Sequence, residues 1–268
     1  MIKIIAEPAN YWHGDFNLLK GVMSEAIACQ ADFFKLQLFN PARMGNAWKG
    51  KRKRYEMMEI KSEHLTALKE MADNYGIELI GTVNTTDKIE LLQEKDVNNV
   101  KIASGQLHPL LVNAIAGHRW DRVFVSTGMI IKVEELEIID SLEDCCDELI
   151  VMHCVSLYPT HDAECNMGRI TSLKTLFPNY TIGYLDHHMD ELPCIIAMAK
   201  GAEYIEKHFI LEPCFGPTSE IGATPKELER ICMVRNRVNR MEGNGQLSCQ
   251  NRECESYRHY QGRFLLDG

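Results

Sequence analysis

The sequence has no run of about 18 consecutive apolar residues, the length a helix needs to cross a bilayer, so no membrane-spanning helix is expected. Cationic side chains are not in excess: 29 Lys and Arg stand against 38 Asp and Glu, a formal net charge of −9, which excludes a nucleic-acid groove covering much of the surface. A local cationic pocket for a small anion remains compatible with that balance. No G-x-G-x-x-G follows the first apolar stretch, so a dinucleotide fingerprint is missing. That stretch, Met1-Ile2-Lys3-Ile4-Ile5-Ala6-Glu7, is too short for a signal peptide and lacks its small-residue cleavage pattern, so a cytoplasmic protein is expected. There is also no C-x-x-C pair. The cysteines stand singly (Cys29, Cys154, Cys165, Cys194, Cys214, Cys232) or as the neighbours Cys145-Cys146, and are expected to be free buried thiols. Cys249 with Cys254 and His259 comes nearest to a metal spacing and is not taken as a zinc site.

What is present is an average soluble composition, with 45% hydrophobic and 25% charged residues over 268 positions. That size suits one large α/β domain. Short apolar, β-branched runs alternate with longer stretches of helical periodicity, the pattern of parallel βα units. Strands are expected at Lys3 to Ala6, Phe33 to Leu38, Ile77 to Thr82, Asn99 to Ala103, Arg122 to Ser126, Leu149 to His153, Thr181 to Leu185 and Tyr204 to Phe209. Helices are expected at Phe16 to Cys29, Ser62 to Asn74, Thr86 to Lys95, Pro109 to Ala116, Lys132 to Leu142, Met167 to Leu176, Asp190 to Ala199 and Pro225 to Met241. Thr224 before Pro225 and Glu227 reads as an N-cap with proline at the first helical position. Eight such units favour a (β/α)8 TIM barrel over residues 1–242. Residues 243–268, polar and ending Phe264-Leu265-Leu266, read as a linker or docking tail.

A barrel of this kind works at the C-terminal ends of its strands. The polar residues expected there are Glu7, Lys35, Gln37, Thr82, Asn84, Lys101, Ser104, Ser126, Thr127, His153, Ser156, Asp186, His187, His188, Glu206 and His208. Alternation puts Lys35 with Gln37 on one face and Glu206 with His208 on another. A buried lone charge costs several kcal/mol, so Lys35, Lys101 and Glu206 inside a barrel need partners or a ligand. Pairing within the barrel, or turning outward between strand and helix, is the alternative for each alone. His187 and His208 end neighbouring strands, where two imidazoles can meet one divalent ion, Mn²⁺, Mg²⁺, Fe²⁺ or Zn²⁺, at roughly 2.0 to 2.2 Å; the alternative is that His187 caps its strand and His208 is a hydrogen-bonded core histidine. The two lysines, with nearby hydroxyls and the Gly105 and Gly128 backbones, could cradle a phosphate or carboxylate.

These segments resemble the sialic acid synthase family. The matching stretches are Ile5-Ala6-Glu7, Lys35-Leu36-Gln37, Lys101-Ile102-Ala103-Ser104-Gly105, Ser126-Thr127-Gly128-Met129, His153-Cys154-Val155-Ser156 with Tyr158-Pro159, Gly183-Tyr184 with Asp186-His187, Glu206-Lys207-His208-Phe209, and Gly216-Pro217. The resemblance implies that phosphoenolpyruvate condenses with an N-acyl hexosamine or related aldose to a nonulosonic-acid-like 2-keto sugar acid, with release of phosphate. It implies a divalent metal, Mn²⁺ or Mg²⁺, on His187 and His208, with Glu7 beside the metal and its water. Lys35, Lys101, Thr82, Ser104 and Ser126 are then expected around phosphoenolpyruvate, and Gln37 and Tyr158 toward the sugar. Ser156, Asp186, Glu206, Gln106 and Thr218 complete the expected substrate-binding set.

The chain departs from that family at Leu185, where the family has serine, and at Gln106 and Thr218, where it has acids facing the sugar. Tyr11-Trp12-His13 replaces an Asn-His-Asn segment. The family also carries a C-terminal antifreeze-like domain that reaches into a partner's barrel. Here a different acceptor, a separate polypeptide supplying that domain, and loss of synthase activity all stay open, as does a homodimer. The leading expectation is the synthase; the alternatives are a barrel lyase or aldolase with another acceptor, and a non-catalytic metabolite-binding paralogue. No nucleic acid or membrane partner is expected.

Overall fold

The eight short apolar runs all form strands: β1 (Lys3–Glu7), β2 (Phe33–Leu38), β3 (Glu78–Val83), β4 (Asn99–Ile102), β5 (Trp120–Ser126), β6 (Cys146–Cys154), β7 (Thr181–Asp186) and β8 (Tyr204–His208). Both faces of each are covered, which is why they read as near-continuous apolar runs rather than as alternating ones. The computed structural model describes residues 1–43, 45, 50–213, 217–249 and 251–261. Every strand pairs in parallel with its neighbour in chain order, and β8 closes on β1. The expected (β/α)8 barrel is the fold.

The helices are α1 (Phe16–Ala28), α2 (Arg52–Met57), α3 (Ser62–Tyr75), α4 (Asp87–Glu94), α5 (Pro109–Ala116), α6 (Gly168–Leu176), α7 (Leu192–Ala199), α8 (Pro217–Ile221), α9 (Pro225–Met241) and α10 (Asn251–Tyr260). Asp15 caps α1 by accepting from the Asn17 and Leu18 amides at 2.9 and 3.2 Å. The cap expected of Thr224 is present, with Glu227 accepting from both its amide and its hydroxyl at 2.8 Å.

Three local expectations change. The stretch read as a helix over Lys132 to Leu142 is a 3₁₀ helix, Val133–Cys145. Its buried residues are Leu136, Ile139, Leu142 and Cys145, a strict spacing of three that matches the three residues per turn of a 3₁₀ helix. Between β2 and α3 the chain makes an excursion carrying α2, which the sequence did not signal. Within the segment read as a linker or tail, Asn251–Tyr260 is helical, while Phe264, Leu265 and Leu266 lie outside the described residues.

Two apolar cores result. The larger lies between barrel and helices, where outward strand residues such as Ile4, Phe34, Val100, Val125 and Ile205 pack on Leu19, Leu68, Leu92, Ile170 and Leu228. The smaller is a plug inside the barrel, with Ile5, Phe33, Ile80, Phe124, Ile150 and Met152. Each such side chain, fully buried, contributes about 1.5–3 kcal/mol. Below the plug, Arg122 bonds Glu78, Asn99, Glu148 and Tyr204, a polar floor. Above it the interior turns polar again, at the C-terminal rim.

None of the described cysteines is in a disulfide: seven are buried, Cys249 is exposed and Cys254 partly so, whereas Cys214 lies outside the described residues. No described helix is long and apolar enough to cross a membrane.

Candidate active site

Period-two alternation delivers the mouth. On β2 it turns Lys35 and Gln37 inward above Phe33, and on β8 it does the same for Glu206 and His208 above Tyr204. Register then levels them: Glu7 pairs with His208, Gln37 with Thr82, and Thr82 with Lys101. Glu7, Lys35, Gln37, Thr82, Asn84, Lys101, Ala103, Ser104, Ser126, Met129, Tyr158, Leu185, His187 and His208 line one cavity of about 130 Å³.

Its centre is a chain of four charges. Lys101 Nζ lies 2.5 Å from one Glu206 oxygen, Lys35 Nζ lies 2.8 Å from the other, and Lys35 also reaches Glu7 at 2.9 Å. All four side chains are buried. The mouth is therefore charge-balanced rather than a cationic pocket, because each ammonium buried beside the apolar plug needs a carboxylate. Burial raises the Glu7 carboxyl's pKa, but Lys35, Lys101 and a 2.8 Å hydrogen bond from Gln37 outweigh it, so Glu7 stays ionised below its ordinary range. Burial opposes the charge on Lys35 too, and there Glu206 and Glu7 prevail and hold it above its ordinary value. On Lys101 burial, aided by repulsion from Lys35, prevails over Glu206 and lowers it.

The two histidines stand beside this chain, rings stacked with centroids 5.3 Å apart. Burial, then the neighbouring His208, holds His187 down to about 4, and burial with Lys35 holds His208 at about 3, so both are neutral near pH 7. The His187 Nδ1–H donates to the Val155 carbonyl at 2.7 Å, which leaves Nε2 as the lone-pair nitrogen. His208 Nδ1 is 3.4 Å from Glu7 but not aligned for a hydrogen bond, and it has no other partner. The Tyr158 ring packs on His187, centroids 4.2 Å apart. Among the described residues no three His, Cys, Asp or Glu side chains are grouped as a metal site.

On the opposite wall, Thr82 Oγ1 and Ser126 Oγ are buried without a hydrogen-bond partner. Such groups cost free energy unless something accepts from them. Ser104 contacts Cys154 at 3.4 Å. A Cβ on Gly128 would fall within 2.5 Å of the Ser104 hydroxyl and closer still to that of Ser156, so only glycine lets this loop cross the serine pair.

A second cavity, about 380 Å³, adjoins the first through Gln37 and Asn84 and is completed by Phe39, Asn40, Arg43, Gly45, Tyr55, Thr85 and Gln106. Gln106 therefore lies beside the charged centre rather than in it. Arg43, Asn40 and Tyr55 were missed in the sequence; the polar Asn40-Pro41-Ala42-Arg43 run just after β2 was the signal that could have found Asn40 and Arg43, and nothing comparable marks Tyr55. Three expected substrate-binding residues stand elsewhere, Ser156, Asp186 and Thr218; Ser156 lines neither cavity. Asp186 faces outward, bonded to Tyr184, Lys207 and the His188 amide, because alternation on β7 turns it opposite to Leu185. Thr218 sits on α8 and lines neither cavity. Gly216 lies outside the described residues.

Comparison with known proteins places this geometry. The NeuB family profile matches residues 22–247. An uncharacterized protein of Methanocaldococcus jannaschii is 33% identical over 247 residues, 91% of this chain and 72% of that protein. The N,N'-diacetyllegionaminic acid synthase of Campylobacter jejuni is 28% identical over 264 residues, 90% of this chain and 78% of that one. Among solved structures, the N-acetylneuraminic acid (sialic acid) synthetase of Leptospira borgpetersenii, in complex with citrate, superposes with a TM-score of 0.87 at 30% identity, covering 97% of this chain and 92% of that one.

Proposed function

The chain belongs to the NeuB family, and from that premise we propose that its barrel mouth joins phosphoenolpyruvate to an open-chain aldose, an N-acyl hexosamine or a relative, giving a 2-keto sugar acid and inorganic phosphate. The observation that carries this reading is the Lys35–Glu206–Lys101 bridge facing the unpartnered hydroxyls of Thr82 and Ser126. Two ammonium groups and two free donors suit a ligand with a phosphate and a carboxylate.

In the reaction, the enol carbon of phosphoenolpyruvate attacks the aldehyde carbon. A carbon–carbon bond forms and the aldehyde oxygen takes a proton. The carbon bearing the phosphate is left electron-poor and takes up water; the resulting tetrahedral centre expels phosphate by C–O cleavage and becomes the ketone. Lys35 and Lys101 hold the anionic groups in place and stabilise charge that builds on the departing phosphate. Glu7, kept ionised, accepts the proton of the attacking water at Oε2. Gln37 stands between the two cavities and orients the acceptor, whose hydroxyls and amide meet Asn40, Asn84 and Gln106.

His187 and His208 would hold a divalent ion, Mn²⁺ or Mg²⁺, their neutral rings and the unpartnered His208 Nδ1 fitting that role, with water or substrate completing the shell. When bound, such an ion supplies Lewis acidity and orientation at the aldehyde. The charge balance of the quartet supports it, since an added multiply charged anion would leave the mouth negative without a cation.

Leu185 puts an alkyl group in the cavity lining where the resembling family has a hydroxyl, and this favours a second reading, a barrel lyase that cleaves a keto acid without phosphate chemistry. Release of phosphate from phosphoenolpyruvate separates the two. With Mn²⁺ and a panel of hexosamines the synthase reading expects acceptor-dependent release; retro-aldol cleavage with no release for any acceptor would replace it by the lyase.

A further inference from the structure

Asp186 and Lys207 each precede a mouth histidine, and they are register partners on β7 and β8. Their side chains leave the barrel on its outer face, into the apolar layer around Ile182, Ile205 and Phe209. Both are buried, at 0% and 1% exposure. Lys207 Nζ lies 2.5 Å from Asp186 Oδ2 and also donates to the backbone carbonyls of His188 at 2.5 Å and Asp190 at 3.2 Å. The other Asp186 oxygen accepts from the Tyr184 hydroxyl at 2.7 Å and the His188 amide at 3.1 Å. His188 in turn contacts Asp162 through Nε2 at 2.9 Å, and the His187 carbonyl accepts from the Thr160 amide at 2.9 Å. The backbone carrying His187 is thus tied on both sides.

A buried ion pair is a poor way to gain stability, since apolar residues of like volume often do as well or better. Groups that orient metal-binding histidines, by contrast, change metal affinity by about 10–100-fold when removed. We propose that the Asp186–Lys207 pair is a positioning device for His187 and His208: it fixes the β7–β8 register and the 186–190 segment so that the two imidazoles stand side by side in the mouth. This rests on the reading of those histidines as the metal pair. Neither Asp186 nor Lys207 touches substrate.

The test is Mn²⁺ titration of the full chain, followed by the electron paramagnetic resonance signal of free Mn²⁺, with circular dichroism of the same samples. Single variants leave a buried charge unpaired, so the decisive protein is the double variant Asp186→Asn/Lys207→Met, whose neutral pair can fold. The expected result is Mn²⁺ binding weakened about tenfold or more in a fully folded protein. Wild-type affinity in the double variant would overturn the proposal. So would weakening that only tracks the loss of folded protein, which would assign the pair to stability alone. His208→Ala is the control. If the wild type binds no Mn²⁺, or binds it equally after His208→Ala, the metal reading falls and this inference with it; if His208→Ala abolishes binding while the double variant binds normally, the positioning role alone falls.

Discussion

Lys101 Nζ and Glu206 Oε2 lie 2.5 Å apart at the top of the barrel interior, both fully buried. With the second Glu206 oxygen on Lys35, one carboxylate holds two ammonium groups at fixed places beside unpartnered hydroxyls. Such a bridge holds the two lysine side chains in register at the barrel mouth.

Replacing Glu206 by glutamine leaves the lysines with only Glu7. Breaking a buried pair costs about 3–5 kcal/mol, so the ligand-free protein should melt lower than wild type. Inorganic phosphate should return more of that loss than it adds to wild type, because it restores the missing negative charge. Thermal unfolding with and without phosphate checks this; an equal phosphate effect in both proteins would mean that the lysines do not meet an anion.

Leu185 is almost fully buried and lines the mouth. Leu185→Ser adds a donor for phosphate, and a hydrogen bond to a charged group contributes about 1.5–3 kcal/mol, so KM for phosphoenolpyruvate should fall roughly tenfold. The lost packing should lower stability by about 2–5 kcal/mol. Steady-state kinetics and denaturant unfolding report the two effects separately, and an unchanged KM would place the phosphate away from Leu185.

Arg43 lines the second cavity and is held from behind by Thr86 at 3.2 Å and Asp87 at 3.4 Å. Arg43→Ala should raise the acceptor KM about tenfold, the loss of one charge-assisted hydrogen bond, and leave KM for phosphoenolpyruvate unchanged. A rise in both would assign Arg43 to the architecture of the rim instead.

His153 is buried with Nε2 2.8 Å from the Cys165 carbonyl. Burial lowers its pKa below 6.5 despite that contact, and Arg169 adds to the shift. The unfolded chain then binds more protons than the folded one between the folded pKa and about 6.5, so stability is present above that range and falls as pH drops through it. Urea unfolding at neutral and mildly acidic pH should show the fall, and His153→Gln should make it shallower. An identical slope in the variant would remove His153 from the account.

The strands and most of the mouth were legible because each strand is an apolar burst ending in a polar rim residue. Glu7, Lys35, Gln37, Thr82, Lys101, Ser126, His187, Glu206 and His208 all converge as the alternation requires. Asp186 was misplaced because rim residues were pooled without regard to face: with Leu185 and His187 inward, Asp186 must point outward, and Lys207 likewise between Glu206 and His208. The charge balance was hidden because pairing distances arise only when β1, β2, β4 and β8 meet across the barrel. The second cavity was hidden because Arg43 and Tyr55 come from the excursion between β2 and α3, which has no periodic signal of its own. The 3₁₀ stretch was misread since Leu136, Ile139 and Leu142 fit a helical stripe almost as well as a spacing of three.

The central claim is that this mouth forms a carbon–carbon bond while cleaving the C–O bond of phosphoenolpyruvate. Phosphoenolpyruvate carrying oxygen-18 in the bridging position, incubated with Mn²⁺ and an open-chain-competent N-acyl hexosamine, tests it by mass spectrometry of both products. The account predicts that the label leaves with phosphate and that a 2-keto acid appears, extended by the carbons of pyruvate. Label retained in the organic product, or free pyruvate with unchanged sugar, would contradict it.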